Sequence, residues 1–200
     1  MYPEKLNQFR FILASKSPRR QFLLTELGIP FELVTKEVDE SFPDHLRKDE
    51  IPLFLARKKA DAFAGIRGDA KSDLDEKTIV ITADTIVWIN DHVLNKPENA
   101  EEASVMLREL SGNRHEVFTG VCLKSAKKEI AFSVRTVVYF RELTEGEIAY
   151  YISTYKPFDK AGAYGAQEFI GYIGVEKIEG SYFNVMGLPV KELYEELVKF

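Results

Sequence analysis

FILASKSPRRQFLLTELG, residues 11–28, holds a strand, a turn and a helix in immediate succession. Phe11-Ile12-Leu13-Ala14 is an apolar run of strand length. Ser15-Lys16-Ser17 is a polar turn. Pro18 then opens an amphipathic helix that Gly28 closes. Ser17 suits the N-cap, Pro18 the first helical position, where a missing N–H costs nothing, and Gly28 the C-terminal stop. A helix start gathers unpaired backbone N–H groups and the positive end of the helix dipole. Arg19 and Arg20 add permanent charge there, against that dipole. Such a site fits phosphate best. A solvated basic first turn is the bland alternative, and this stretch alone leaves both open.

The alternation continues downstream. Residues 31–34 read as a second short strand. Glu37-Val38-Asp39-Glu40 crowds acidic side chains, and Ile51-Pro52 starts a helix that carries Leu55, Lys58, Lys59 and Phe63. Residues 65–77 have turn composition and predict a surface loop. Residues 78–83 are β-branched and apolar, as in a central strand buried on both faces. They run into Asp84-Thr85, after which 86–89 resume the strand. Asn90-Asp91 turns the chain into a hairpin with 92–94. Asn99 caps a helix that Gly112 stops. Residues 117–123 and 130–140 are strands, and Thr144-Glu145-Gly146-Glu147 is a capping box. Residues 157–168 form a loop of small residues around Asp159, Lys160 and Gln167. Residues 170–178 and 182–186 read as strands. The C-terminal helix places Leu193, Leu197 and Val198 on its apolar side. Strand–helix alternation followed by local strand pairing predicts an α/β fold with a mixed sheet. Two hundred residues suit one domain, or one domain with two lobes.

Composition removes several classes of function. A net charge of −5 offers no basic surplus for bulk nucleic-acid binding, so an anionic substrate needs a local basic cluster. The single cysteine, Cys122, rules out an intramolecular disulfide and a cysteine-rich zinc site, and fits a reducing compartment. No apolar run reaches membrane-spanning length, and residues 1–10 lack a signal-peptide core, so a cytoplasmic protein is expected.

Asp84 is the sharpest candidate for chemistry. A carboxylate at the end of an apolar strand is costly unless bonded, paired or metal-bound, and strand ends line ligand crevices in α/β proteins. Asp39 and Glu40 can join it in holding a hard cation such as Mg²⁺. Lys59, Lys96 and Lys160 each sit in a setting unlike that of an ordinary surface lysine. His45, His92 and His115 have no metal spacing, and neither GxxxxGK[ST] nor GxGxxG occurs.

Taken together, these segments resemble the Maf-like nucleotide pyrophosphatases. LASKSPRR (13–20), LARKKA (55–60), ADTIV (83–87), NKP (95–97), TG (119–120), DKAGAYGAQE (159–168) and SYFNVMGLPV (181–190) match its motifs in order, over nearly the whole chain. The resemblance implies one domain over 1–200, with two lobes and an active-site cleft as in inosine triphosphatases. It implies hydrolysis of a nucleoside triphosphate between the α and β phosphates, assisted by Mg²⁺ or Mn²⁺. Asp84 matches the general base, and Ser15, Ser17, Arg20, Lys59 and Lys96 match phosphate-contacting positions. Glu40, with Asp84, matches the metal site. Arg19, Thr85 and Gln167 match the branch that takes dTTP and UTP. Physically, a Gln amide offers both a donor and an acceptor to a uracil or thymine edge. One departure is Glu168, where many relatives have Gly. The resemblance also implies housecleaning of modified pyrimidine nucleotides and a homodimer. Its alternatives are a 7-methyl-GTP or purine pyrophosphatase, and a nucleotide-binding inhibitor of cell division without turnover.

Overall fold

The computed structural model describes residues 4–63 and 74–200, so most of the loop expected over 65–77 lies outside the described residues. In chain order the elements are β1 (Arg10–Leu13), α1 (Pro18–Glu26), β2 (Glu32–Leu33), α2 (Glu50–Asp61), β3 (Thr78–Ile89), β4 (His92–Leu94), α3 (Ala100–Leu110), β5 (Arg114–Lys124), β6 (Glu129–Phe140), α4 (Glu145–Tyr155), α5 (Phe169–Gly174), β7 (Val175–Glu179), α6 (Tyr182–Met186) and α7 (Val190–Lys199). The strands form a seven-stranded sheet in the order β2-β1-β3-β5-β6-β7, with β4 paired to β3. β1 runs parallel to β2 and β3, whereas β3–β4 and β6–β7 are antiparallel. The expected mixed α/β sheet is therefore present. Among the described residues no helix is long and apolar enough to cross a membrane.

The chain divides into two compact units. The first comprises Met1–Asp84, Thr119–Val134 and Gly187–Phe200, and the second Thr85–Phe118 and Arg135–Met186. In the first unit, Ile12 of β1 and Val80 of β3 are register partners, and both pack with Phe63 and Leu74. The apolar face of α2 lies on β5 through Ala56, Ala60 and Cys122. Gly120 allows that approach: a Cβ there would intrude on the backbone of Pro52 and Leu53 at the helix start. Leu193 and Leu197 of α7 are fully buried, but Val198, expected beside them, is exposed.

Local chemistry sets several element ends in the second unit. Asn90 and Asp91 both have positive φ, which makes the tight turn between β3 and β4. Asn99 accepts the Glu102 N–H at the start of α3. Thr144 and Glu147 close a reciprocal capping box on α4. Val87, Leu107, Val138, Tyr151 and Ile170 meet in this unit's core.

Two expected strands are corrected. Of the stretch expected as a strand over 170–178, residues 170–174 belong to helix α5, and strand β7 begins only at Val175. Gly171 lies against the Ala166 carbonyl, closer than any side chain permits, so the chain coils back on itself here. Residues 182–186 are helix α6. That turn buries Asn184, whose Nδ2 donates to the Val117 carbonyl and the Thr136 hydroxyl at 3.1 and 3.0 Å. Short apolar runs carry no period that separates strand from helix, and tertiary contacts decide between them.

Candidate active site

Asp84 lies inside the long strand β3, not at a strand end, and is only 8% exposed. Lys59 of α2 meets its Oδ1 at 2.5 Å and also reaches Glu40 Oε1 at 2.7 Å. One ammonium therefore holds two carboxylates that lie far apart in sequence. The neighbouring Thr82 explains how helix and strand come so close. Its hydroxyl donates to the Ala56 carbonyl at 2.7 Å, tying β3 to α2 just before each element presents its charged residue. The preceding lysine repeats the arrangement outward, since Lys58 bonds Asp39 at 3.1 Å and the Ser41 carbonyl at 3.0 Å. The hydroxyl and N–H of Ser41, then Lys58, hold the Asp39 carboxyl down at about 2. Two consecutive lysines thus anchor two consecutive acids, and the segment carrying Glu40 is pinned to the helix.

The strand–turn–helix at residues 10–26 supplies the second part. Ser15 is buried, and its hydroxyl accepts the Ser17 N–H at 3.2 Å. Ser17 has the extended backbone of an N-cap, but its side chain makes no capping bond. The expected capping role is thus filled only in backbone geometry, and the Ser17 hydroxyl is not spent on the helix N–H groups. Arg20 donates Nη1 to the Ala83 carbonyl and Nε to the Gly187 carbonyl, both at 2.8 Å. It is bonded to the residue before Asp84 and lies in the field of Asp84 and Glu40. Burial lowers its pKa, Asp84 raises it, and an arginine stays cationic throughout. Part of Arg20 is therefore structural, which its sequence position did not reveal.

Thr85, Lys96 and Gln167 belong to the second unit. Thr85 is half-buried on β3, Lys96 is exposed between β4 and α3, and Gln167 lies in the turn before α5. The Asn95 carbonyl beside Lys96 accepts the Gly162 N–H at 3.2 Å. Gln167 Oε1 is buried without a hydrogen-bond partner among the described residues. Around this turn is a polar cluster of which the sequence flags the loop residues but not Tyr151 or the bonds that join them. Lys160, 7% exposed, bonds Asp159 at 2.8 Å and Glu168 at 3.1 Å. The Tyr151 hydroxyl donates to the other Glu168 oxygen and accepts the Gly165 N–H at 3.0 Å. Tyr151 carried one signal of this: it shares the apolar stripe of α4 with Ile148 and Ile152, and a buried phenol needs a partner.

A buried carboxylate on a cation, a second carboxylate on that cation and a basic helix start can bind a polyphosphate and activate a water beside it. The profile of the Maf-like protein family matches residues 10–200. The chain belongs to the Maf-like family. Among Maf-like proteins, it is 51% identical over 198 residues to a dTTP/UTP pyrophosphatase of Parabacteroides distasonis, covering 98% of this chain and 99% of that one. It is 50% identical to a dTTP/UTP pyrophosphatase of Phocaeicola vulgatus, with 98% of each chain covered. A solved structure of the Staphylococcus aureus Ham1 protein aligns at TM-score 0.48 and 14% identity, covering 95% of this chain and 98% of that one.

Proposed function

We propose that this chain is a nucleoside triphosphate pyrophosphatase that hydrolyses dTTP and UTP between the α and β phosphates. Family membership and half-identical, full-length relatives that bear this activity in their names support the reading. The structural observation that carries it is Lys59 joining Asp84 to Glu40, with Arg20 bonded to the residue before Asp84.

Lys59 takes Asp84 Oδ1, and the other carboxylate oxygen orients a water toward the α-phosphorus. Asp84 receives the proton as the new P–O bond forms. The bond between the α-phosphorus and the bridging oxygen breaks, and its electron pair leaves with pyrophosphate. Arg20, Lys59 and Lys96 offset charge on the phosphate oxygens, and Ser15, Ser17 and the start of α1 supply hydrogen-bond donors. Arg19, Thr85 and Gln167 select the base.

Glu40 and Asp84 fit a divalent cation. Phosphate sites hold Mg²⁺ through one or two carboxylates, with water and substrate oxygens completing the shell. Among the described residues no three His, Cys, Asp or Glu gather into a cage, so the chain offers that partial shell. When bound, the ion withdraws charge from the phosphate oxygens.

The test is turnover of dTTP and UTP with Mg²⁺ in ¹⁸O-water. Pyrophosphate should be released, with the label in the nucleoside monophosphate. Orthophosphate alone, or label in pyrophosphate, rejects attack at the α position. Preference for 7-methyl-GTP over UTP would reassign the base.

A further inference from the structure

Gln167 sits in a turn that a small polar cluster closes. We infer that Glu168, with Tyr151 and Lys160, is a positioning residue that sets the Gln167 amide to accept the imide N–H of a uracil or thymine base. This role rests on the proposed reading that Gln167 selects the base.

Residues 165–168 form a turn closed by the Glu168 N–H on the Gly165 carbonyl at 3.0 Å. Gln167 is the third residue of that turn. A Cβ on Gly165 would stand 2.8 Å from Glu168 Cδ and 3.1 Å from Gln167 Nε2, so both side chains pack over one bare Cα. The Glu168 carboxylate cannot drift. Lys160 takes one oxygen at 3.1 Å and the Tyr151 hydroxyl takes the other. Tyr151 is fixed in turn, because it accepts the Gly165 N–H. Its proton stays in place: burial, then the bond to Glu168, pushes the phenol well above its usual range. The cluster therefore closes on itself through the backbone of the turn that carries Gln167.

Gln167 Oε1 has no partner among the described residues and is buried. A buried acceptor without a donor is costly, and such groups call for an explanation. A ligand N–H would relieve it. Uracil and thymine present an N–H at ring position 3, whereas cytosine presents a lone pair there, so a fixed Oε1 favours the first two.

The test compares kcat and KM for UTP, dTTP and CTP in Tyr151→Phe, Glu168→Gln and Gln167→Ala, with the melting temperature of each. Tyr151→Phe and Glu168→Gln should lower the UTP-to-CTP ratio of kcat/KM about tenfold, the scale of one misplaced hydrogen bond. The change should appear in KM for UTP more than in kcat. If Gln167→Ala collapses the ratio while the other two leave it intact, Glu168 does not position Gln167. A change in melting temperature without a change in ratio likewise rejects the positioning role, and Glu168→Gln, nearly isosteric, serves if Tyr151→Phe does not fold. If Gln167→Ala itself leaves the ratio unchanged, the base-selection reading fails, and this inference with it.

Discussion

Lys59 Nζ stands 2.5 Å from Asp84 Oδ1, and these side chains are only 17% and 12% exposed. A buried pair responds sharply when one member is removed, because the other charge is left behind. Lys59→Met removes the ammonium that Asp84 and Glu40 share. It should cost roughly 3 kcal/mol, which a chain of this length shows as a melting temperature lower by about 6–12 °C. Asp84→Asn leaves Lys59 with Glu40, so it should lower the melting temperature far less while reducing turnover at least about 100-fold. The double variant should regain stability and stay inactive. Thermal scans and pyrophosphate release measure the two effects separately.

Arg20 is bonded to two backbone carbonyls, so its loss should lower rate and stability together. Each charged hydrogen bond is worth about 1.5–3 kcal/mol. Arg20→Ala should slow hydrolysis of every nucleotide and lower the melting temperature, and Arg20→Lys should rescue little, since one ammonium cannot span the Ala83 and Gly187 carbonyls. Arg19→Ala should instead reorder the substrates with a smaller thermal change. Identical profiles for the two alanine variants would remove the division of labour between these neighbours.

Gly120→Ala tests the seat of helix α2. The added methyl would meet backbone atoms of Pro52 and Leu53, which cannot rotate away. Roughly 3 kcal/mol of destabilisation is expected, with reduced turnover as Lys59 shifts from Asp84. Soluble protein with unchanged melting temperature and rate would show that α2 tolerates displacement.

His115 is buried against Phe140 and Tyr164, and its Nε2 lies 2.7 Å from the Tyr164 hydroxyl. Burial pushes its pKa down to about 3. The unfolded chain, with an ordinary histidine near 6.5, takes the proton first as pH falls. His115 therefore supports the fold fully above that value. Its support declines below it, by up to about 1.4 kcal/mol per pH unit, until the folded form also protonates near 3. The depressed carboxyls Asp39 and Glu147 act in the same direction but only at lower pH, through the ordinary carboxylate range. Denaturant titrations between pH 7 and 5 should show His115→Gln losing most of the slope. An unchanged slope would assign it to other groups.

Where structure depends on neighbouring residues, the sequence is legible. Pro18 and Gly28 bound the first helix region, Asn99 and the Thr144–Glu147 box start theirs, and Asn90-Asp91 makes its hairpin, because each acts through its own side chain or φ. Where structure depends on distant partners, it is not. Residues 169–174 and 182–186 are apolar enough for strands, and they coil because Gly171 must meet Ala166 and Asn184 must reach Val117. The candidate site divides the same way. The sequence already groups Glu40 with Asp84 as cation ligands, but no local pattern shows that Lys59 joins the two. Nothing in the sequence singles out Thr82 or Tyr151, and Lys160 stands out only by its setting, so the role of each emerges from the carbonyl or carboxylate it meets.

Cys122 lies beneath helix α2, fully buried beside Ala56 and Ala60, with its thiol pushed up to about 12 by burial and then by Glu129. In the closed protein it is neither reachable nor nucleophilic. A thiol-reactive dye can therefore label it only after α2 lifts from β5, so the labelling rate is a built-in clock for the opening of the helix that carries Lys59. Because the chain has no second cysteine, that clock runs without background. If phosphate ligands hold α2 down, adding nucleotide should slow it.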